Sequence, residues 1–233
     1  MRKEVGLKKL EAVIGHTFKK SELLEQALVH RSYLNEHPGF HLGHNERLEF
    51  LGDAVLELVV TEQLYKRYPE STEGELTSLR ASLVNSKALA ELAQEINLND
   101  HLYLSKGEAK DAKDSKARQI ILANAIESTI GALYLDGGMT ASRAFIKKFI
   151  VSKLDYILEH NLHIDPKSSL QELVQEKIGV TPSYKVLSEE GPDHSKLFTV
   201  GVYFGSKLVA KGTGTSKQLA QESAAKNALQ TKI

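Results

Sequence analysis

Cysteine is absent from this chain, which excludes disulfides, thiolate nucleophiles and zinc-thiolate sites together and leaves oxygen and imidazole to hold any metal. That absence fits a reducing compartment. Long apolar runs are absent too: no window approaches eighteen consecutive apolar residues, and the opening MRKEVGLKKLEAVIGHTF is charged throughout, without an apolar stretch leading to a small-residue cleavage site. The expectation is a soluble, cytoplasmic, non-secreted protein. Nor is there an excess of one charge, since 30 Lys and Arg stand against 30 Asp and Glu, so composition alone does not mark a nucleic-acid binder. From Asn161 onward nine Lys and no Arg face seven acids, leaving 21 basic against 23 acidic residues before it. This small asymmetry has the sign of an acidic module joined to a basic one.

What is present is enough apolar material for two cores, 41% of 233 residues. Up to about residue 160 apolar residues return every three or four positions, as in Leu7, Leu10, Val13, Ile14 and again in Leu83, Leu89, Leu92, Ile96, which predicts an all-α domain over residues 1–158. Helix stops are expected at His37-Pro38-Gly39, Tyr68-Pro69 and Asp136-Gly137-Gly138. Residues 159–164 read as a linker, closed by the helix-disfavouring Asp165-Pro166. Residues 165–233 change pattern. Ser169-Leu170-Gln171-Glu172 reads as a capping box opening an amphipathic helix. Strand-like runs follow at 184–187, 198–204 and 207–211, and Ser216 caps a last helix over 217–230 with Ala220, Ala224 and Ala228 on one face. The predicted order is α-β-β-β-α, an α+β domain.

The residues richest in chemistry lie in His44-Asn45-Glu46-Arg47-Leu48-Glu49-Phe50-Leu51-Gly52-Asp53-Ala54-Val55-Leu56. At 100° per residue Glu46, Glu49 and Asp53 share one helix face, while Leu48, Leu51, Val55 and Leu58 are expected to face the core. Three like charges at these spacings oppose an isolated helix by roughly 0.2–0.5 kcal/mol per pair, so the stripe needs open water or a cation. A second helix, 120–135, is apolar nearly all round yet carries Asn124 and Glu127 one turn apart. An unpartnered carboxylate there is costly. Either a hard divalent cation shared with the first helix supplies the partner, or an arginine does, Arg47 and Arg80 being available.

At this point the sequence resembles a family. The twelve residues from Asn45 to Leu56 are similar to the signature of ribonuclease III, with supporting matches at 73–77, 79–84, 104–108 and 121–138. The resemblance covers almost the whole chain. It implies a homodimeric endonuclease that hydrolyses double-stranded RNA with Mg²⁺, or Mn²⁺ in its place, giving 5′-phosphate products with short 3′ overhangs and processing ribosomal precursors and other structured RNAs. It implies further that Glu49, Asp53, Asn124 and Glu127 hold the metal, Asp53 and Glu127 being catalytic, with Glu46 and Glu73 as nearby supporting or RNA-facing groups. The family most often has aspartate where this chain has Asn124, which raises the alternative of a weakened or inactive duplex-binding protein of the same fold. A phosphohydrolase of small nucleotides is a further rival, against which the C-terminal module argues.

That module resembles a double-stranded-RNA-binding domain. The resemblance assigns RNA contacts to Gln171 and Glu172 on its first helix, to His194 in the loop 191–196, and to Lys217 at the start of its last helix, where free amides and an ammonium favour phosphate. Such contacts read duplex shape rather than sequence. Tyr184, Phe198 and Phe204 are expected in the core. His37, His41 and His44 read as a polar loop rather than a zinc site, and the lysine-rich stretch 105–118 as a solvated loop, with RNA contact in the catalytic valley as the second reading.

Overall fold

The computed structural model describes residues 2–110, 115–192 and 195–231. They fall into two compact units, Met1–His163 and Ile164–Ile233. The first is helical: α1 (Arg2–Ile14), α2 (Ser21–Ala27), α3 (Arg31–Glu36), α4 (Glu46–Arg67), α5 (Glu73–Val84), α6 (Ser86–Glu95), α7 (Lys106–Lys110), α8 (Lys116–Phe149) and α9 (Leu154–Glu159). The only extended pairing among its described residues is an isolated bridge between Val29 and Tyr103. Among the described residues no helix is long and apolar enough to cross a membrane.

Stops fall where the punctuation placed them, with one modification. α3 ends before His37-Pro38 and α4 before Tyr68-Pro69, because the residue ahead of a proline is pushed out of the helical region. At Gly138 the backbone turns left-handed (φ 66°, ψ −167°) but a helix resumes beyond it, so α8 is two segments joined at a kink. Asp136 fixes this corner: its carboxylate accepts from the Lys19 and Lys20 amides at 3.1 and 2.9 Å and pairs with His16 Nε2 at 2.8 Å.

α4 and α8 form the centre of this unit. Leu56, Val59, Val60 and Leu64 of α4 pack among Leu122, Ile126, Ile130, Leu133, Phe145 and Ile146 of α8, all buried; each such side chain contributes about 1.5–3 kcal/mol. Leu58 departs from expectation, being 57% exposed rather than in the core. It lies with Phe50 (83%) and Tyr65 (72%) on a second apolar stripe of α4 that the core does not cover. Helical periodicity registers both apolar faces alike.

The second unit is α10 (Pro166–Ile178), β1 (Ser183–Glu190), β2 (Leu197–Phe204), β3 (Lys207–Gly214) and α11 (Lys217–Leu229), with an antiparallel sheet in the order β1-β2-β3. The capping box expected at Ser169 is not there. Asp165 caps the helix, its side chain accepting from the Lys167 amide, with Pro166 at the first position, where a proline loses no hydrogen bond. The same dipeptide that ends the linker therefore starts the helix. Ser216 caps α11 as expected, accepting from the Leu219 amide at 3.2 Å. The alanine stripe packs against glycine: a Cβ on Gly212 would stand 2.0 Å from the Ala224 amide, and one on Gly214 2.6 Å from the Ala220 amide. Tyr184 and Phe204 pack against the core of Leu170, Val174, Val202, Ala224, Ala225 and Ala228, whereas Phe198 lies half-buried beneath Lys217.

Candidate metal centre and duplex-binding face

A glycine inside a helix costs about 1 kcal/mol relative to alanine, so each needs a reason in packing. Gly52 of α4 and Gly131 of α8 have the same reason. A Cβ on Gly52 would stand 1.7 Å from the Glu127 carbonyl oxygen, and one on Gly131 would stand 2.2 Å from that of Leu48. The two backbones thus touch at one crossing, and residues one turn from it on either helix are forced together. Glu49 and Asp53 flank Gly52; Asn124 and Glu127 precede Gly131. Asn45, 97% buried, secures the entry to α4: its amide donates to the Ala27 carbonyl at 3.3 Å and to Ser128 Oγ at 3.5 Å.

The electrostatics of this crossing are lopsided. Burial first, then the charges of Asp53, Glu49 and Glu57, push the Glu127 carboxyl up to about 7. Glu49 is raised as well, by burial and then by Glu46, with Asp53 adding to it and a hydrogen bond from Asn124 opposing. The influence of Asn124 on Glu49 is that of a nearby amide donor, an orientation that would turn its carbonyl oxygen to a cation. Among the described residues no arginine or lysine figures among the charges acting on either carboxyl. Arg80, one partner considered for Glu127, instead meets Glu57 Oε2 at 2.9 Å, and Arg47 is exposed. At the near end of the stripe Glu46 lies 3.7 Å from both Arg31 Nη1 and His44 Nδ1.

Five of the six predicted acidic or amide positions thus lie along the crossing: Glu46, Glu49, Asp53, Asn124 and Glu127. Glu73 does not join them within one chain. It opens α5, whose capping box (Thr72 with Glu75) follows the five-residue connection 68–72, and Arg80, two turns on, reaches Glu57 and Thr61. Glu73 consequently sits beside the far end of α4. Among the described residues no three carboxylate or imidazole side chains converge as a ready ligand set. The donors at the crossing are nonetheless hard oxygens carrying mutual repulsion, and among the described residues no arginine or lysine acts on Glu49 or Glu127, a set that fits a divalent ion such as Mg²⁺. The histidines of the first unit do not gather: His37 stacks on Tyr33 with ring centroids 4.0 Å apart, and His41 lies 3.9 Å from Glu25.

On the second unit Gln171 and Glu172 are exposed on α10. Lys217 opens α11, with its Nζ 3.1 Å from Glu189 Oε1 and 5.6 Å from the Phe198 ring centroid. His194 lies outside the described residues. Sequence reasoning passed over Lys167, whose Nζ donates to Gln221 Oε1 at 2.8 Å while lying 5.2 Å from the Tyr184 ring centroid.

Comparison with known proteins gives the class first. The sequence profile described as ribonuclease-III-like matches residues 20–154, and that of the double-stranded RNA binding motif matches residues 166–232. Ribonuclease 3 of Bdellovibrio bacteriovorus is 48% identical over 97% of this chain and 96% of the relative, and that of Carboxydothermus hydrogenoformans 45% over 95% and 93%. The crystal structure of the nuclease domain of the Campylobacter jejuni enzyme, 36% identical, covers 63% of this chain and 94% of that one with a TM-score of 0.53. The chain belongs to the ribonuclease III family, with a helical nuclease domain followed by a double-stranded-RNA-binding domain.

Proposed function

We propose that this double-stranded-RNA endonuclease works through Mg²⁺, with Mn²⁺ able to substitute, held by Glu49, Asp53, Asn124 and Glu127 at the Gly52–Gly131 crossing. The observation that carries the reading is the gathering of carboxyls at the crossing, where burial and then Asp53, Glu49 and Glu57 push Glu127 up to about 7. When bound there, a divalent ion lowers the pKa of water and stabilises charge developing on the leaving 3′ oxygen. Glu127 must first give up its proton, which the ion's positive charge favours. Asp53 supplies charge beside it, and the Asn124 amide orients Glu49. Glu46 supports the site or faces RNA, and Glu73, away from the crossing within one chain, faces RNA. The phosphodiester is cut by water without a covalent enzyme intermediate, giving 5′-phosphate ends with short 3′ overhangs.

The exposed Phe50, Leu58 and Tyr65 stripe runs beside the acid stripe on α4, and a second copy of this chain covers it in the reading proposed here. The dimer-forming region named for the Campylobacter jejuni nuclease domain supports this pairing. Two acid clusters side by side would cut both strands. Gln171, Glu172, His194 and Lys217 contact the duplex from the second domain. Ribosomal precursors and other structured RNAs in the cytoplasm are the proposed substrates. The relatives give no support to an inactive duplex-binding protein.

Gel analysis of an end-labelled duplex tests this. Cleavage should require Mg²⁺ or Mn²⁺ and stop with EDTA, and Glu127→Ala should reduce it about a thousandfold or more while duplex binding persists. A Glu127→Ala protein that unfolds instead, seen as a collapsed thermal transition, would mean that the side chain serves packing.

A further inference from the structure

The acid stripe of α4 continues past the residues assigned to the metal, and its last member is held differently. At 100° per residue Glu57 returns to the face of Glu46 and Asp53, one turn beyond Asp53. Its charge is among those acting on Glu127. Unlike Glu49 and Glu127 it has a cation: Arg80 Nε lies 2.9 Å from Glu57 Oε2, and Arg80 Nη1 donates to Thr61 Oγ1 at 3.0 Å. One guanidinium from the middle of α5 is thereby fixed against two successive turns of α4. The side chains of the pair remain 35% and 37% exposed, so the group is oriented but still open to solvent.

A phosphodiester approaching a row of carboxylates is repelled by every carboxylate the metal does not neutralise. Cations beside the row offset this, and the two ends of the stripe carry one each. Arg31 is 73% exposed and 3.7 Å from Glu46, a loose pair. Arg80 is the anchored one. A guanidinium has five donors in a planar fork; two are directed at α4, and the outward edge retains the geometry that matches phosphate oxygens. Because the fork is already oriented, little rotamer freedom remains to be lost on contact.

We propose that Arg80 is a phosphate contact of the catalytic cleft, held in orientation by Glu57 and Thr61, and that it takes a duplex phosphate next to the one being cut. The proposal rests on the metal-site reading above. Glu57 and Thr61 are positioning residues: they touch the arginine rather than the RNA.

The full chain provides the test. Duplex binding is measured against salt in a Glu127→Gln background, where cleavage is blocked, with and without Arg80→Gln. Loss of one phosphate contact should reduce the slope of log K against log salt by about one. In the otherwise native chain, Arg80→Gln should slow single-turnover cleavage at saturating Mg²⁺ about tenfold or more, with the Mg²⁺ midpoint unchanged. Arg80→Lys should keep the salt slope, because the charge remains, and lose part of the rate, because the fork does not. An unchanged slope in Arg80→Gln overturns the proposal. A lowered thermal midpoint in both variants with the slope intact does so too, leaving Arg80 as a clamp between α4 and α5. Failure of the underlying reading looks different: Glu127→Gln would still cut the duplex, whatever Arg80 does.

Discussion

Both domains bring two elements into backbone contact through glycine, yet with opposite results. In the nuclease domain Gly52 and Gly131 let α4 and α8 touch, and the residues alongside are carboxylates and an amide. In the RNA-binding domain Gly212 and Gly214 of β3 receive the alanine face of α11, and what lies alongside is apolar. Close approach concentrates whatever chemistry flanks it. At the first contact it concentrates negative charge and raises Glu127; at the second it only packs, and the polar work is left to the exposed start of α11. One contact builds a site, while the other supports a surface.

The strongest way to break the comparison is to fill the glycines. Gly52→Ala places a methyl group 1.7 Å from a carbonyl oxygen, and Gly212→Ala places one 2.0 Å from an amide nitrogen. Backbone must move in both, and each should destabilise its own domain by about 3 kcal/mol or more. Calorimetry of the full chain should show Gly52→Ala abolishing cleavage together with the nuclease transition. Gly212→Ala should leave cleavage at low salt largely intact.

Next in size is Asn124→Asp, which adds a negative charge at the first contact and removes a donor to Glu49. The Mg²⁺ midpoint for cleavage should fall about tenfold in a partly desolvated site. The gap between the two proteins should close as Mg²⁺ rises, and Mn²⁺ should rescue the asparagine form preferentially. Equal metal dependence of the two would remove Asn124 from the ligand set.

A smaller effect follows from Glu127 itself. Its carboxyl is raised from 4.5 to about 7 in the folded chain, so the native state binds more protons than the unfolded state between those values. Its contribution in metal-free protein is therefore favourable on the acid side and is lost as pH rises through that window. In EDTA, acidification from pH 7.5 to 5.5 should raise the thermal midpoint of the native chain relative to that of Glu127→Gln by about 2–4 °C. Equal pH slopes in the two proteins would contradict the raised value.

The smallest effect belongs to the second contact's surface. Lys217→Gln should lower the salt slope of duplex binding by about one and weaken binding to all duplex sequences alike. Discrimination among sequences would instead point to base readout.

Periodicity and punctuation carried the architecture: an all-α domain, a short connection and an α-β-β-β-α domain are legible because helices and strands have different repeats. The acid stripe and Glu127 were legible for the same reason. Other features were not. Periodicity points Leu58 into the core because an apolar face left exposed has the same period as a face packed inside. Ser169 resembles a cap because Ser-x-x-Glu is the right spacing, whereas Asp165 supplies the cap four residues earlier and Pro166 the fixed φ after it. The placement of Glu73 away from the crossing follows from the short α4–α5 connection, which forces α5 back along α4. The roles of Glu57 and Arg80 depend on a pairing across that hairpin, which no local pattern encodes. Gly52 and Gly131 were the available clue to the crossing, as glycines inside otherwise regular helices.

The crossing also bears on how the chain is made. Gly52 and Gly131 stand 79 positions apart, and chain synthesis at about 5–20 residues per second puts roughly 4–16 s between them. Until α8 emerges from the ribosome, the buried face of α4 has no native partner, and its exposed Phe50, Leu58 and Tyr65 stripe adds to the apolar surface on display. During that interval the acid stripe is the helix's own protection, because its like charges keep nascent chains apart by repulsion.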